Sequence, residues 1–278
     1  MNHFLEIPRT PRRLPDWPQY PLAGTGGPDQ VDLRVRRQVR SPQLRNRRDI
    51  LIALPPGWEE TGERFPVVYM HDGQNLFDPA TSANGDWGLV ATLDAEARAG
   101  RPVIVVGIPN LGRRRPHEYS PFRDVSHGGG GGDRYLEFIT ATVKPMVDAA
   151  FPTQPDRRHT VIAGGSLAGL ISLYGLFRLP DVFGAAAALS PSLWFASRSM
   201  LGFVEARAHR ETGRLYMDAG TGEGAEVVAD VEHLCGILID AGRREGTDFR
   251  CVIEDGAGHD EAAWGRRFRA ALPFLLGR

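Results

Sequence analysis

From residue 31 onward the chain alternates short apolar runs with longer amphipathic stretches. "VDLRVRRQV" alternates apolar and polar residues, as a half-buried antiparallel strand does. "RDILIALPPGW" predicts a second strand, stopped at Pro55-Pro56-Gly57, where proline has no N–H for a ladder. "VVYMHDG", "PVIVVGIPN", "HTVIAGG", "GAAAALS", "RLYMDAG" and "FRCVIEDG" are continuously apolar, as strands covered on both faces are. Between them, "DRYLEFITATVKPMVDAAF", "SLAGLISLYGLFRL", "EVVADVEHLCGILIDAGRR" and "DEAAWGRRFRAALPFLLG" repeat apolar residues at helical spacing. Pro145 and Pro273 should kink these helices or divide them. Two opening strands followed by strand–helix alternation predict an α/β fold. Its central sheet should be mostly parallel, with antiparallel N-terminal strands and helices on both faces.

Two segments fall outside this rhythm. Residues 1–30 carry Pro8, Pro11, Pro15, Pro18, Pro21 and Pro28, which forbid a helix or interior strand. An extended segment along the body is expected, anchored by Trp17 and Tyr20, with a disordered tail or partner-binding arm as the alternative. The chain thus divides into a proline-rich segment, 1–30, and a catalytic domain, 31–278. "HGGGGGDRY", residues 127–135, lacks the GxGxxG spacing of a phosphate cradle and is expected to be a mobile loop.

Composition narrows the function classes. The 278 residues are 42% hydrophobic and 24% charged with a net charge of −1, so no nucleic-acid or polyanion partner is indicated. The basic runs "RRQVR", "RNRR" and "GRRRP" read as solvated surface. No run reaches the length of a membrane span and the N-terminus lacks signal-peptide character, so the cytoplasm is the default location. Cys235 and Cys251, without CxxC spacing, are expected to be small apolar core residues rather than a disulfide or metal ligands. Whether the protein is a homo-oligomer is left open.

The chemistry concentrates at "TVIAGGSLAGL". A strand ends there and a helix starts at once around Ser166, with Gly164, Gly165, Ala168 and Gly169 about it. Such a turn tolerates only small neighbours and is the G-x-S-x-G nucleophile elbow, here with Ala168 in the last position. It lifts the hydroxyl above the C-terminal edge of the sheet and leaves the first helical N–H groups free to receive an oxyanion. A small-residue strand–helix junction is the plain alternative.

The partners such a serine needs follow in order. His259, in "VIEDGAGHDEAAW", lies in a glycine-flanked loop between the last strand and the last helix, within reach of Ser166 as its base. For the acid, "LYMDAGTGEGAE" offers Asp218, Glu223 and Glu226; Glu223, beyond the Gly-Thr-Gly turn, is better placed than Asp218 to reach round to His259. Leu167 N–H and Gln74 N–H are the expected oxyanion donors. Asp72, Phe77, Trp87 and Trp194 are candidate substrate-binding residues by position, with core packing the alternative for the aromatics. Arg115 and Glu118 read as structural ion-pair residues rather than substrate contacts. A metal site joining His71 and Asp72 to His259-Asp260-Glu261 would require two distant loops to meet and is the weaker reading.

The segments "VVYMHDGQNLFD", "PVIVVGIPN", "IAGGSLAGLISLYG", "PDVFGAAAALSPSLW", "DAGTGE" and "GAGHDEAAW" together resemble an esterase family of α/β-hydrolases. That family includes enterochelin-esterase-like proteins, esterase D, and feruloyl and acetylxylan esterases, and the enterochelin-esterase-like branch is the most similar. The resemblance runs from about residue 48 to the end. It implies an α/β-hydrolase fold without a large lid domain, no cofactor, and a serine esterase acting on a small or medium ester. It supports Ser166 as nucleophile, His259 as base, Glu223 as acid and the Gln74 amide in the oxyanion hole. Ala168 for glycine and glutamate for the more usual aspartate are departures. An acyltransferase of the same fold, or a non-catalytic binding protein built on it, are the alternatives.

Overall fold

Successive residues of a strand point to opposite sides of a sheet, and in this protein both sides meet helices. A computed structural model describes residues 16–27, 29–82, 85–210 and 213–277. Its strands are β1 (Asp32–Ser41), β2 (Asn46–Leu54), β3 (Val67–His71), β4 (Ile104–Ile108), β5 (Thr160–Gly165), β6 (Ala185–Leu189), β7 (Arg214–Gly220) and β8 (Phe249–Glu254). They form one eight-stranded sheet in the order β1-β2-β4-β3-β5-β6-β7-β8. β2 runs antiparallel to both β1 and β4, and every pairing from β4 to β8 is parallel. The expected mostly parallel sheet with antiparallel opening strands is what forms.

Helix α1 is Leu89–Arg98, and α2 (Gly132–Phe138) passes through a π-helical turn at Ile139–Val143 into α3 (Lys144–Ala150). The remaining long helices are α4 (Leu167–Arg178), α5 (Phe195–Glu205), α6 (Ala225–Asp240) and α7 (Glu261–Leu275). Tyr69, Val106, Ile162 and Met217 face one core with Leu136, Leu173, Val204 and Leu234 from α2, α4, α5 and α6. Val68, Met70, Val105 and Val161 face the other with Leu93 from α1 and Phe268 and Leu272 from α7. Two covered faces explain why these strands are apolar without alternation. Pro145 lacks the N–H that would continue the ladder, and the π turn just before it absorbs the mismatch. Pro273, by contrast, lies inside α7 and does not end it.

The described part of the N-terminal segment is anchored as its two aromatics suggested. Trp17 is buried edge-on against Phe151 at 5.1 Å, and the Tyr20 hydroxyl donates to Asp78 Oδ2 at 3.0 Å.

Two expectations are corrected. Cys235 on α6 and Cys251 on β8 form a disulfide, with Cα atoms 6.5 Å apart. Their separation of 16 residues spans a helix and the return to the sheet, and only that packing brings them together. The glycine run is not a mobile loop. Gly128 and Gly129 pair with Arg123 and Asp124, and a Cβ on Gly129 would lie 2.1 Å from Phe122 O. A Cβ on Gly132, the first residue of α2, would lie 2.7 Å from Pro121 N. These glycines permit close backbone approach.

Candidate active site

Because β3 to β8 run the same way, the segments that follow them gather on one edge of the sheet. Ser166 directly follows β5 with φ 63° and ψ −126°, a conformation that costs a non-glycine residue energy and that its surroundings impose. A Cβ on Gly164 would lie 2.5 Å from the Ala168 Cβ, and one on Gly169 would lie 2.9 Å from Leu189 O. A Cβ on Gly165 would lie 2.7 Å from the ring of Trp264 on α7. The alanine at 168 therefore fits, and it makes glycine at 164 obligatory.

Neither Leu167 N–H, at the first turn of α4, nor Gln74 N–H has a hydrogen-bond partner among the described residues. Gln74 lies in a tight turn after β3. Asp72 opens that turn at φ 53°, and a Cβ on Gly73 would lie 2.6 Å from the Gly107 carbonyl carbon. The turn is braced from β4's following loop. Arg115 Nη2 donates to Asp72 Oδ2 at 2.8 Å and Nε to Oδ1 at 3.0 Å, Asn110 Nδ2 donates to Asp72 Oδ1 at 2.7 Å, and Asn110 N–H donates to Gln74 Oε1 at 3.1 Å.

Glu223 and His259 meet. The imidazole Nδ1 and Glu223 Oε2 are 2.6 Å apart, so the carboxylate holds the proton on Nδ1 and leaves Nε2 as an acceptor. The other carboxylate oxygen, Oε1, accepts from Ser190 Oγ at 2.6 Å and from Gly220 N–H at 2.7 Å. Burial opposes ionisation of Glu223, but the hydrogen bonds from His259, Ser190 and Gly220 outweigh it and hold the pKa below its ordinary value. Asp218, the other candidate acid, sits inside β7 and is fully buried. Its Oδ1 accepts from Ser190 N–H at 2.9 Å and lies 3.4 Å from Arg267 Nη1. Burial pushes its pKa up to about 7, against the pull of Arg267.

Ser166 Oγ is hydrogen-bonded to Ser192 Oγ at 3.1 Å, and no hydrogen bond joins it to His259 among the described residues. Trp264 links the two locally. Its ring lies against Gly165, next to the serine, and meets the His259 ring edge-on at 4.8 Å. The indole N–H donates to Ser190 Oγ at 3.0 Å, tying the same side chain to the oxygen that holds Glu223.

The remaining positions distribute as follows. Trp194 is 44% exposed and stands edge-on to His127 at 5.3 Å. Phe77 and Trp87 are buried, Trp87 beside Trp264 at 5.9 Å and Phe268 at 6.1 Å. Asp72 has its carboxylate occupied by Arg115 and Asn110, and Glu118 pairs in the interior with Arg48 at 2.8 Å. His71 is buried against Tyr135 at 2.8 Å, and burial lowers its pKa to about 3. Among the described residues no group of three metal-ligating side chains is arranged to hold an ion.

Sequence reasoning passed over Ser190, Ser192, Trp264 and Arg267. The two serines had a positional signal, since "SPS" directly follows the strand beside the elbow strand. Trp264 and Arg267 had none beyond helical spacing.

The pattern that defines the family described as "Putative esterase" matches residues 41–275. The chain belongs to that family. The siderophore triacetylfusarinine C esterase of Aspergillus fumigatus is 34% identical over 178 residues, which are 61% of this chain and 59% of that protein. The iron(III) salmochelin esterase of Escherichia coli is 30% identical over 71% of this chain and 47% of its own length. This chain thus spans about half the length of these curated relatives. Among solved structures, an IroE-like serine hydrolase from Shewanella oneidensis superposes with a TM-score of 0.70 at 21% identity, covering 87% of this chain and 78% of that one. The fold is that of the α/β-hydrolase-like esterases.

Proposed function

We propose that this esterase-family protein is a serine carboxylic-ester hydrolase that works through an acyl-enzyme, with Ser166, His259 and Glu223 as its triad. The observation that carries the reading is the Glu223–His259 hydrogen bond of 2.6 Å on the same sheet edge as a serine held at φ 63°. Substrate entry exchanges the Ser192 contact of Ser166 for His259 Nε2, since hydrogen bonds in an unliganded site commonly tighten only in the complex. Ser166 Oγ then attacks the ester carbonyl while its proton passes to His259 Nε2. The carbonyl oxygen takes the negative charge and is received by Leu167 N–H and Gln74 N–H, each such donor being worth about 3 kcal/mol in the transition state. His259 returns the proton to the departing alcohol as the tetrahedral intermediate collapses. Water, deprotonated by the same imidazole, adds to the acyl-serine, and as that intermediate collapses the imidazolium returns the proton to Ser166 Oγ and the acid leaves. Glu223 stabilises the imidazolium throughout.

Two relatives are named for siderophore esters, and we carry that class over as the substrate. Exposed Trp194 at the rim offers such a ligand an aromatic surface. Turnover of p-nitrophenyl acetate and of a siderophore trilactone by wild type and by Ser166→Ala tests the reading. Wild type should form an acyl adduct on Ser166 detectable by mass spectrometry, and the variant should fall to background. Equal rates for the two proteins would end it.

A further inference from the structure

Ser190 directly follows β6, the strand between the one that ends at Ser166 and the one that leads to Glu223. It is buried, and its backbone stands at φ 40°, in the left-handed region that glycine enters freely and other residues enter at a cost. Glycine would remove that cost, so what serine adds at this position is its hydroxyl. The backbone itself is fixed to β7, its N–H donating to Asp218 Oδ1 at 2.9 Å.

A hydroxyl has one proton to give and two lone pairs to fill. Trp264 Nε1–H and Arg267 Nη2–H, both from α7, donate to Ser190 Oγ at 3.0 and 3.1 Å. Indole and guanidinium nitrogens can only donate, so both lone pairs are taken and the proton has a single outlet. That outlet is Glu223 Oε1, at 2.6 Å. Gly220 N–H is the second donor to the same oxygen, at 2.7 Å. With Oε1 held from two directions, the carboxylate cannot turn about its Cγ–Cδ bond without breaking a hydrogen bond, and Oε2 stays on His259 Nδ1.

Arg267 is buried among carboxylates, 3.4 Å from Asp218 Oδ1, 3.5 Å from Glu223 Oε1 and 3.6 Å from Glu254 Oε2. Its positive charge favours the ionised form of Glu223. The guanidinium's one hydrogen bond among the described residues goes to Ser190 Oγ. We propose that Ser190 is a positioning residue of the ester site: locked by Trp264 and Arg267, its hydroxyl holds the Glu223 carboxylate in the rotation that serves His259. The inference rests on the triad proposed above. A carboxylate free to turn would leave the imidazole tautomer unsecured for part of the time. The chemical step would then slow, while substrate, which the buried Ser190 does not touch, would bind as before.

Ser190→Ala and Ser190→Gly in the full chain test this on p-nitrophenyl acetate. In both, kcat should fall by about 10- to 100-fold, the range for losing one hydrogen bond to a charged group, with KM within about twofold. Wild-type kcat in Ser190→Gly would overturn the proposal, because only the hydroxyl and the backbone cost are then missing. In a Glu223→Gln background, Ser190→Ala should lower kcat no further, since the hydroxyl acts only through the carboxylate. An equal loss in both backgrounds would report general damage and overturn it. Nitrogen-15 NMR of the free protein should show a smaller share of His259 in the Nδ1–H tautomer in either variant, and an unchanged share would also overturn it. That measurement needs no turnover. A wild type that forms no acyl adduct on Ser166 would end the esterase reading instead, and the tautomer share would still decide whether Ser190 positions Glu223.

Discussion

Glu223→Gln removes one charge and exchanges one oxygen for an amide, and the surrounding hydrogen bonds determine which oxygen. Glu223 Oε1 receives two donors, Ser190 Oγ–H and Gly220 N–H, whereas Oε2 faces only His259 Nδ1. The glutamine carbonyl therefore stays at the Oε1 position and the NH2 group turns to the imidazole. An NH2 group there can only donate, so His259 Nδ1 must accept, and the ring proton moves to Nε2. That tautomer cannot take the proton of Ser166. The equivalent amide substitution in a serine-protease triad costs about 10⁴ in kcat, which is about 5 kcal/mol of activation free energy. The same loss is expected here on p-nitrophenyl acetate. Stability should change little, because both Oε1 donors keep an acceptor. Nitrogen-15 NMR of the imidazole should show the tautomer reversed. A kcat within about tenfold of wild type, or a larger loss for Asp218→Asn than for Glu223→Gln, would refute the assignment.

Asp218→Asn should leave kcat within about tenfold, and its signature lies in stability against pH. Burial raises the Asp218 pKa to about 7, so the folded state binds a proton that the unfolded chain has released. Its contribution is complete below the unfolded pKa of about 4 and is lost as pH rises through the folded value. Melting temperatures should therefore shift in favour of the variant as pH rises from about 4 to about 7, and a pH-independent difference would contradict the argument. Gly165→Ala places a methyl group 2.7 Å from the Trp264 ring, which also touches His259. A loss of about 1–3 kcal/mol in urea melts, with reduced kcat, is expected. An unchanged variant would show that Trp264 does not brace the site.

The parts of the site legible in the sequence are those whose residue type is imposed by local backbone geometry. Glycine or alanine at 164, 165, 168 and 169 is a direct consequence of a strand turning into a helix around Ser166. His259 and Glu223 could be located because parallel strands bring all their C-terminal loops to one edge. The bracing was not legible, since Trp264 and Arg267 reach Ser190 across 74 and 77 residues from positions that read only as one face of an amphipathic helix. Ser190 Oγ sits between that helix and Glu223, accepting from Trp264 Nε1 and Arg267 Nη2 while donating to the carboxylate.

Hydrophobic periodicity by itself determined the element order, the doubly covered sheet and the edge on which chemistry would gather, because burial on one face or two writes directly into residue spacing. Tertiary structure decided what depends on distances between remote segments. It joined Cys235 to Cys251, seated the glycines around residue 130 against Phe122 and Pro121, and chose Glu223 over Asp218 as the partner of His259. Spacing records what each segment buries, whereas a pairing exists only once two segments have been packed together.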